Sequence, residues 1–398
     1  MVPRVYFDHA ATTPLDPRVA EAMRPWLGER VGNPSSLHRE GREAREAVES
    51  ARASVASLVG AEPSEVVFAG SGTEADNLAV FGVVDPAKAS GVHILASSIE
   101  HPAVLEPCRQ LAREGAELEL VPIGSHGLVD PDSVACRLRP NTRLVSIMAA
   151  SNVVGTIQPI AEIGAICRAR GVTFHVDAVQ AAGKIPLDLR RLPIDLLSLS
   201  AHKIHGPQGV GALVLRNGVR LSPLVRGGGQ ERGLRSGTEN VAGIVGFGVA
   251  ARLATESLAD DNVRLVELRE RLASGIATQL PSARLLGHPS RRLPGHLCLL
   301  LDGQEGEAIR LLLALDEEGF AVSTGSACSS AHAAEPSYVL LALGFDPIRA
   351  RGALRLSLGR GNTSAEVDRF LDLFPRLARS LRPVTSRPFF ASMSDPGR

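Results

Sequence analysis

From about residue 65 to residue 215 the chain alternates short apolar runs, several of them apolar along their whole length, with helical patterns, and this rhythm constrains the fold more than any other feature. Val66–Ala69, His93–Ala96, Leu118–Pro122, Leu144–Ala149, Thr173–Val176, Ile194–Leu199 and Gly211–Leu215 read as strands. Thr73–Val84, Pro102–Arg113, Pro131–Leu138 and Ile160–Arg170 read as helices between them. A strand that is apolar at every position belongs to a sheet covered on both faces. Repeated strand–helix–strand units argue for a mostly parallel sheet. The expected fold class is therefore α/β, with helices on both faces of the sheet in a large domain.

After Gly246 the pattern changes. Helical stretches at about 240–258 and 261–280 are followed by strands near 296–301, 320–323 and 353–357, with helices near 305–318, 336–343 and 364–380. This predicts a smaller α+β domain. The expected division is an N-terminal segment 1–15 beside the small domain, a large domain 16–258, the small domain 259–381, and a mobile tail 382–398. There is no long internal repeat.

Composition closes off several classes of function. Lys+Arg 43 balance Asp+Glu 43, so no basic excess points to nucleic acid. Five cysteines (108, 136, 167, 298 and 328) are scattered without a C-x-x-C pair. That argues against a disulfide framework or a zinc ribbon and favours reduced thiols in the cytoplasm. No apolar run approaches 18 residues without charge or turn residues, so no membrane span is expected. The N-terminus has no apolar core of the kind a secretory signal needs.

The chemistry-bearing text begins with Ser71-Gly72-Thr73-Glu74, which recurs as Ser236-Gly237-Thr238-Glu239. Each reads as a capping box opening a helix. A helix start of this kind can also hold a phosphate, because free N–H groups and the positive end of the dipole face it. Further on, Thr173-Phe174-His175-Val176-Asp177 ends a strand with an acid, and Ser200-Ala201-His202-Lys203 follows a later strand. Ligands bind at the carboxyl ends of strands in open α/β sheets. An aspartate and a lysine so placed suit pyridoxal phosphate (PLP): the lysine forms a Schiff base, and the aspartate pairs with the protonated pyridine nitrogen.

Taken together, the motifs resemble those of PLP-dependent cysteine desulfurases of the iron–sulfur-cluster and nitrogen-fixation type, within the class V aminotransferase group. The matching text covers almost the whole chain. It runs through Tyr6-Phe7-Asp8-His9-Ala10-Ala11-Thr12-Thr13-Pro14, Gly32-Asn33-Pro34-Ser35-Ser36-Leu37-His38, Ser71-Gly72-Thr73-Glu74-Ala75-Asp76-Asn77 and Glu100-His101-Pro102-Ala103-Val104. It continues through His175-Val176-Asp177-Ala178-Val179-Gln180, Ser200-Ala201-His202-Lys203, Arg235-Ser236-Gly237-Thr238, Gly325-Ser326-Ala327-Cys328-Ser329-Ser330 and Arg355-Leu356-Ser357-Leu358-Gly359-Arg360.

The resemblance implies a fold-type-I PLP enzyme and a role for each matching residue. Lys203 is the Schiff-base lysine, Asp177 the partner of the pyridine nitrogen, and Gln180 the donor to the ring's phenolic oxygen. His101 stacks on the ring and relays protons; by its position alone it reads as a polar helix-start residue. Gly72, Thr73, Ser200 and His202 hold the phosphate, and Thr238 reaches the partner subunit's phosphate site, which implies a homodimer. Asn152 and Arg355 handle the cofactor oxygen and the substrate carboxylate, which a planar guanidinium can bind bidentately.

Cys328, in a loop of small polar residues, is the implied sulfur acceptor. L-cysteine would give up its sulfur to the Cys328 thiolate and leave as alanine, after Lys203, with His101, moves the Cα proton. The persulfide would pass to an iron–sulfur scaffold or a sulfur carrier. Cys328 is then at most a transient cluster ligand, and no resident metal is expected. Cys108, Cys136, Cys167 and Cys298 read as structural.

One segment departs from the family. Ser151-Asn152-Val153-Val154-Gly155 stands where the family reads Asn-Asn-Glu-x-Gly, which bears on the support of Asn152. Selenocysteine lyase, another class V aminotransferase, and a non-catalytic PLP-binding assembly partner remain open as alternatives.

Overall fold

The structure is a computed structural model that describes residues 4–303, 308–324 and 335–380. The tail expected from residue 382, and the loop that carries Cys328, lie outside the described residues.

The large sheet has seven strands. In spatial order they are Val66–Ala69, Gly211–Leu215, Leu196–Ser200, Thr173–Asp177, Thr142–Ser146, His93–Ser97 and Glu117–Val121. Gly211–Leu215 runs antiparallel to both neighbours, and the other six strands point one way. The runs read as wholly apolar are buried at every position in Val66–Ala69, His93–Ser97 and Leu196–Ser200. Glu117–Val121, at the sheet edge, is only partly covered, with Val121 alone fully buried.

A smaller antiparallel sheet orders Ser323–Thr324, Ala353–Ser357, His296–Leu301 and Ala283–Leu285. The N-terminal strand Val5–Tyr6 pairs in parallel with Phe320–Ala321. Phe7, Phe320, Phe370 and Phe374 form the aromatic centre of the core beneath these strands.

The two helices expected between 240 and 280 are one, Val241–Gln279, of 39 residues. Its first part buries Phe247, Ala250 and Ala254 in the core of the large sheet. Its last part buries Leu268, Leu272 and Ile276 in the core of the small one. None of residues 255–267 is buried, so the apolar period lapses there although nothing breaks the helix. The boundary expected at 258/259 thus falls inside a helix that ties both cores together. This helix is also long and apolar enough to cross a membrane by length and composition, but its apolar positions are spent on the two cores.

The two Ser-Gly-Thr-Glu elements also part company. Ser71 does cap its helix: Oγ accepts from Glu74 N at 3.0 Å, while Glu74 Oε2 accepts from Gly70 N at 2.8 Å. The second element opens no helix. Gly237 turns the chain at φ 117°, and Asn240 is the cap, its Oδ1 accepting from Gly243 N at 3.0 Å. The two elements are nevertheless tied together, because Arg235, the residue just before the second, donates from Nε to Glu74 Oε1 at 2.7 Å.

Candidate active site

A cavity of about 350 Å³ opens at the carboxyl ends of the parallel strands, where ligands collect in such sheets. Its walls hold Lys203, Asp177, His101, Gln180, Asn152 and Arg355. Gly72, Thr73, Ser200 and His202 line it as well. One expected residue is not part of this assembly. Thr238 is exposed and outside the cavity of its own chain. Cys328 lies outside the described residues.

Each wall has a local cause. Asp177 is the last residue of its strand, and its Oδ1 accepts from Val179 N at 2.9 Å. Burial raises its carboxyl above the ordinary value, while His101 and Lys203 pull it back down. Directly below, the His175 imidazole bridges Ser146 Oγ at 2.8 Å and Ser198 Oγ at 2.9 Å. Burial pushes this imidazole down to about 3, so it is neutral and serves as a strut between adjacent strands. Asp76, another lining carboxyl, is raised well above its ordinary range by burial and by Asp177.

The start of the helix Gly72–Val83 forms another wall. A Cβ on residue 72 would stand 2.8 Å from a Val179 methyl and 3.2 Å from Ser200 Cβ, so only glycine lets the helix come this close. Gly211 serves the same approach from the neighbouring strand, where a Cβ would lie 2.5 Å from the Ser71 carbonyl carbon. The helix N–H groups, Thr73, Ser200 and His202 make a donor-rich pocket that suits a phosphate.

Lys203 sits in a short 3₁₀ turn directly after the strand Leu196–Ser200. Its Nζ donates to Ala10 O at 2.6 Å and to Ala11 O at 2.7 Å. The same N-terminal strap holds the turn from outside: Thr13 Oγ1 donates to His202 O at 2.8 Å, and His202 Nδ1 lies 3.0 Å from Thr12 Oγ1. These main-chain acceptors were not singled out by sequence reasoning. The run Ala10-Ala11-Thr12-Thr13 was their only trace.

His101 caps the helix Pro102–Arg113, its Nδ1 accepting from Ala103 N at 3.1 Å. With Nδ1 an acceptor, the neutral ring carries its proton on Nε2. In this state the ring nitrogen that does not cap the helix carries a donor. The residue is both the helix-start residue and the cavity residue of the two readings.

Arg355 is 1% exposed. Its Nη2 donates to Asp8 Oδ1 at 2.8 Å and its Nη1 to Asn152 O at 3.0 Å. The departing segment is well built. Ser151 Oγ accepts from Val153 N at 3.2 Å and Val154 N at 3.3 Å, and Gly155 closes the turn at φ +75°. Val153 is buried among Ile99, Met148 and Val154.

These groups fit PLP: a carboxylate for a protonated ring nitrogen, a lysine, an anion cradle and a guanidinium share one cavity. Comparison with known proteins agrees. Residues 5–370 match the model of the aminotransferase class-V family. The chain belongs to this family. Members of the aminotransferase class-V family that are cysteine desulfurases depend on PLP. Among relatives, the chain is 46% identical over 388 residues to "Cysteine desulfurase IscS" of Methanosarcina thermophila, covering 97% of this chain and 95% of the relative. It is 46% identical over 392 residues to a cysteine desulfurase of Cereibacter sphaeroides, with 98% of each covered. A solved "NIFS-LIKE PROTEIN" superposes with TM-score 0.88 at 40% identity, covering 95% of this chain and 100% of that one. The structure "SspA in complex with cysteine" superposes with TM-score 0.79 at 35% identity, covering 89% and 98%.

The cysteines of this class-V chain divide by burial. Cys108, Cys167 and Cys298 are core residues whose thiols burial pushes up to about 12. Cys136, read from sequence as structural, is exposed at the end of a short helix, its Sγ 3.4 Å from Ser133 O.

Proposed function

We infer that the protein is a PLP-dependent cysteine desulfurase that takes sulfur from L-cysteine and releases L-alanine. The observation that carries this reading is the meeting of Lys203, Asp177 and Arg355 in one cavity of a chain about 46% identical to named cysteine desulfurases. Bound PLP supplies an electron sink for the Cα–H bond. The protein's residues do the rest. Asp177 holds the ring nitrogen protonated, and the Gly72 helix start with Thr73, Ser200 and His202 holds the phosphate. Arg355 orients the substrate carboxylate beside Asn152. Lys203 takes the proton from Cα and returns it to the product. The Cys328 thiolate takes the substrate sulfur and becomes a persulfide.

Two further parts of the reading concern partners and place. A homodimer with composite sites accounts for Thr238, which is exposed and outside its own cavity. The sulfur then passes to an iron–sulfur scaffold or a sulfur carrier, for cluster assembly or tRNA thiolation. The unpaired described thiols suit the cytoplasm.

The test is one incubation of purified protein with L-cysteine and a reductant, measuring alanine and sulfide together. Equimolar release is expected. Amino-group transfer to a 2-oxo acid without sulfide would make it an aminotransferase. Turnover of selenocysteine alone would make it a lyase for that substrate. No turnover with bound PLP would leave a non-catalytic binding partner. Borohydride reduction and peptide mapping should tag Lys203, and any other tagged lysine overturns its role.

A further inference from the structure

A second lysine stands behind the cavity. Lys184 lies in the loop that follows Gln180, and its Nζ donates to Gln180 Oε1 at 3.1 Å. Among the described residues no carboxylate forms an ion pair with it. Gln180 is itself buried in the cavity wall, and its Nε2 donates to Ala10 O at 2.8 Å. That carbonyl also accepts from Lys203 Nζ.

This chain of bonds determines which way round the Gln180 amide sits. An amide has one acceptor end and one donor end of similar size, and its neighbours choose between the two orientations. Here the acceptor end meets a lysine, which donates, and the donor end meets a main-chain carbonyl, which accepts. Flipping the amide would set its NH₂ against the Lys184 amine and its oxygen against the Ala10 oxygen. Both bonds would be lost and two like-signed contacts made, inside a wall that water does not easily reach. The Gln180 NH₂ has a second hydrogen left for the cavity.

We propose that Lys184 is a positioning residue, which holds the Gln180 amide with its N–H, not its carbonyl, presented to the ring oxygen of the bound cofactor. The proposal rests on the PLP reading of the site. It assigns a role to a residue that touches neither substrate nor cofactor. It also gives a reason for a lysine that pairs with no carboxylate among the described residues.

Among the described residues the groups coupled to Lys184 are basic: Lys203, Arg355, His9, His202, His205 and His296. Asp261 lines the same cavity as Lys184 and Lys203, behind the first, and is taken up by Arg360 at 3.0 Å. Burial, Lys203 and Arg355 push the Lys184 ammonium down to about 7. The ammonium can only donate, whereas the neutral amine can also accept, so Lys184 dictates the amide's orientation in its protonated form and the Ala10 carbonyl holds the donor end in either form.

The test uses the intact holoenzyme and reads the absorbance of the lysine-bound cofactor against pH. A correctly presented donor stabilises negative charge on the ring oxygen, and so favours loss of the proton on the neighbouring nitrogen. Lys184→Met should move the absorbance midpoint up by roughly half a unit or more. Lys184→Arg, which can still donate to Gln180 Oε1, should restore most of the shift.

The same substitutions in a Gln180→Ala background separate a positioning role from a plain charge effect. If Lys184 acts through Gln180, Lys184→Met adds little there. An equal shift in both backgrounds, or no shift in the wild-type background, overturns the proposal. Lys184→Leu, which likewise cannot donate, gives the same reading should the methionine variant fail to fold. A wild-type protein with no lysine-bound chromophore would instead overturn the PLP reading on which the proposal stands.

Discussion

Arg355 and Asp8, 347 positions apart in sequence, form a 2.8 Å ion pair that joins the N-terminal segment to the central part of the small sheet. Ser357 strengthens the same seam: its main-chain N–H donates to Phe7 O at 2.8 Å, and its Oγ accepts from Ala10 N at 2.9 Å. The segment that brings Asp8 to Arg355 therefore also brings Ala10 and Ala11 to Lys203. The guanidinium already serves Asp8 and Asn152 O, and its planar fork leaves Nε without a partner among the described residues.

A lysine cannot reproduce that fork. Arg355→Lys keeps the charge but loses the geometry that lets one side chain meet Asp8, the Asn152 carbonyl and a substrate carboxylate together. Losing one charge-assisted bond costs about 1.5–3 kcal/mol. The KM for L-cysteine should therefore rise by roughly 10- to 100-fold, with the cofactor absorbance unchanged. Steady-state kinetics check this, and an unaltered KM would remove Arg355 from carboxylate binding.

The departure at Ser151 and Val153 leads to a stability prediction. In this chain the Ser151 hydroxyl closes the turn, and Val153 belongs to an apolar cluster. Restoring the family residue should therefore do harm. Val153→Glu sets a carboxyl in the apolar cluster of Ile99, Met148 and Val154, which should cost on the order of 3–5 kcal/mol. Urea denaturation measures the loss. A variant as stable as wild type would mean that the new side chain finds water or a cation after all.

Much of this was legible in the sequence, for physical reasons that differ between residues. The strands were visible because a sheet covered on both faces needs apolar residues at consecutive positions, as in Val66–Ala69. Asp177 and Lys203 were visible because an acid and a lysine at the ends of buried strands are rarely accidental. The unity of the helix Val241–Gln279 was hidden, because its middle faces solvent and carries no apolar period. The second Ser-Gly-Thr-Glu was misread because a capping pattern describes side chains only, and the left-handed Gly237 is a backbone fact. The Ala10 and Ala11 carbonyls could not be read as ligands for Lys203, since main-chain oxygens leave no mark in a sequence.

Glu100 predicts a pH dependence of stability. It is fully buried, with Oε1 accepting from Met148 N at 2.8 Å, and burial pushes its carboxyl from 4.5 up to about 8. The folded protein therefore keeps a proton that the unfolded chain has already lost between these pH values. Stability from this group is present below about 4.5 and is lost as pH rises through about 8. The slope contributed by one proton is at most ~1.4 kcal/mol per pH unit. Glu100→Gln removes that term, so the urea midpoint of the variant should gain on wild type between pH 5.5 and pH 8.5, roughly the window set by linkage. Parallel curves for the two proteins would show that Glu100 is ionised in the fold.

The cysteines supply the prediction that bears most directly on the chemistry. Alkylation needs a thiolate that reagent can reach. Cys108, Cys167 and Cys298 are buried, with thiols pushed up to about 12, so iodoacetamide should leave them unmodified in the folded protein. Cys136 is exposed and should react. Its short helix lies away from the lining of the Lys203 cavity, so Cys136→Ser should retain full activity and remain sensitive to the reagent. Inactivation should instead follow modification of Cys328. Cys328→Ser should bind PLP and L-cysteine as before, because Lys203, Asp177 and Arg355 are untouched. Its sulfide release should collapse, since an alcohol is a far weaker nucleophile than a thiolate at neutral pH. Mass spectrometry after exposure to L-cysteine, without reductant, should find one added sulfur on the peptide containing Cys328 and none on the peptide containing Cys136. Undiminished sulfide release from Cys328→Ser would falsify the assignment of Cys328 as sulfur acceptor, and would send the search to Cys136 as the one exposed thiol among the described residues.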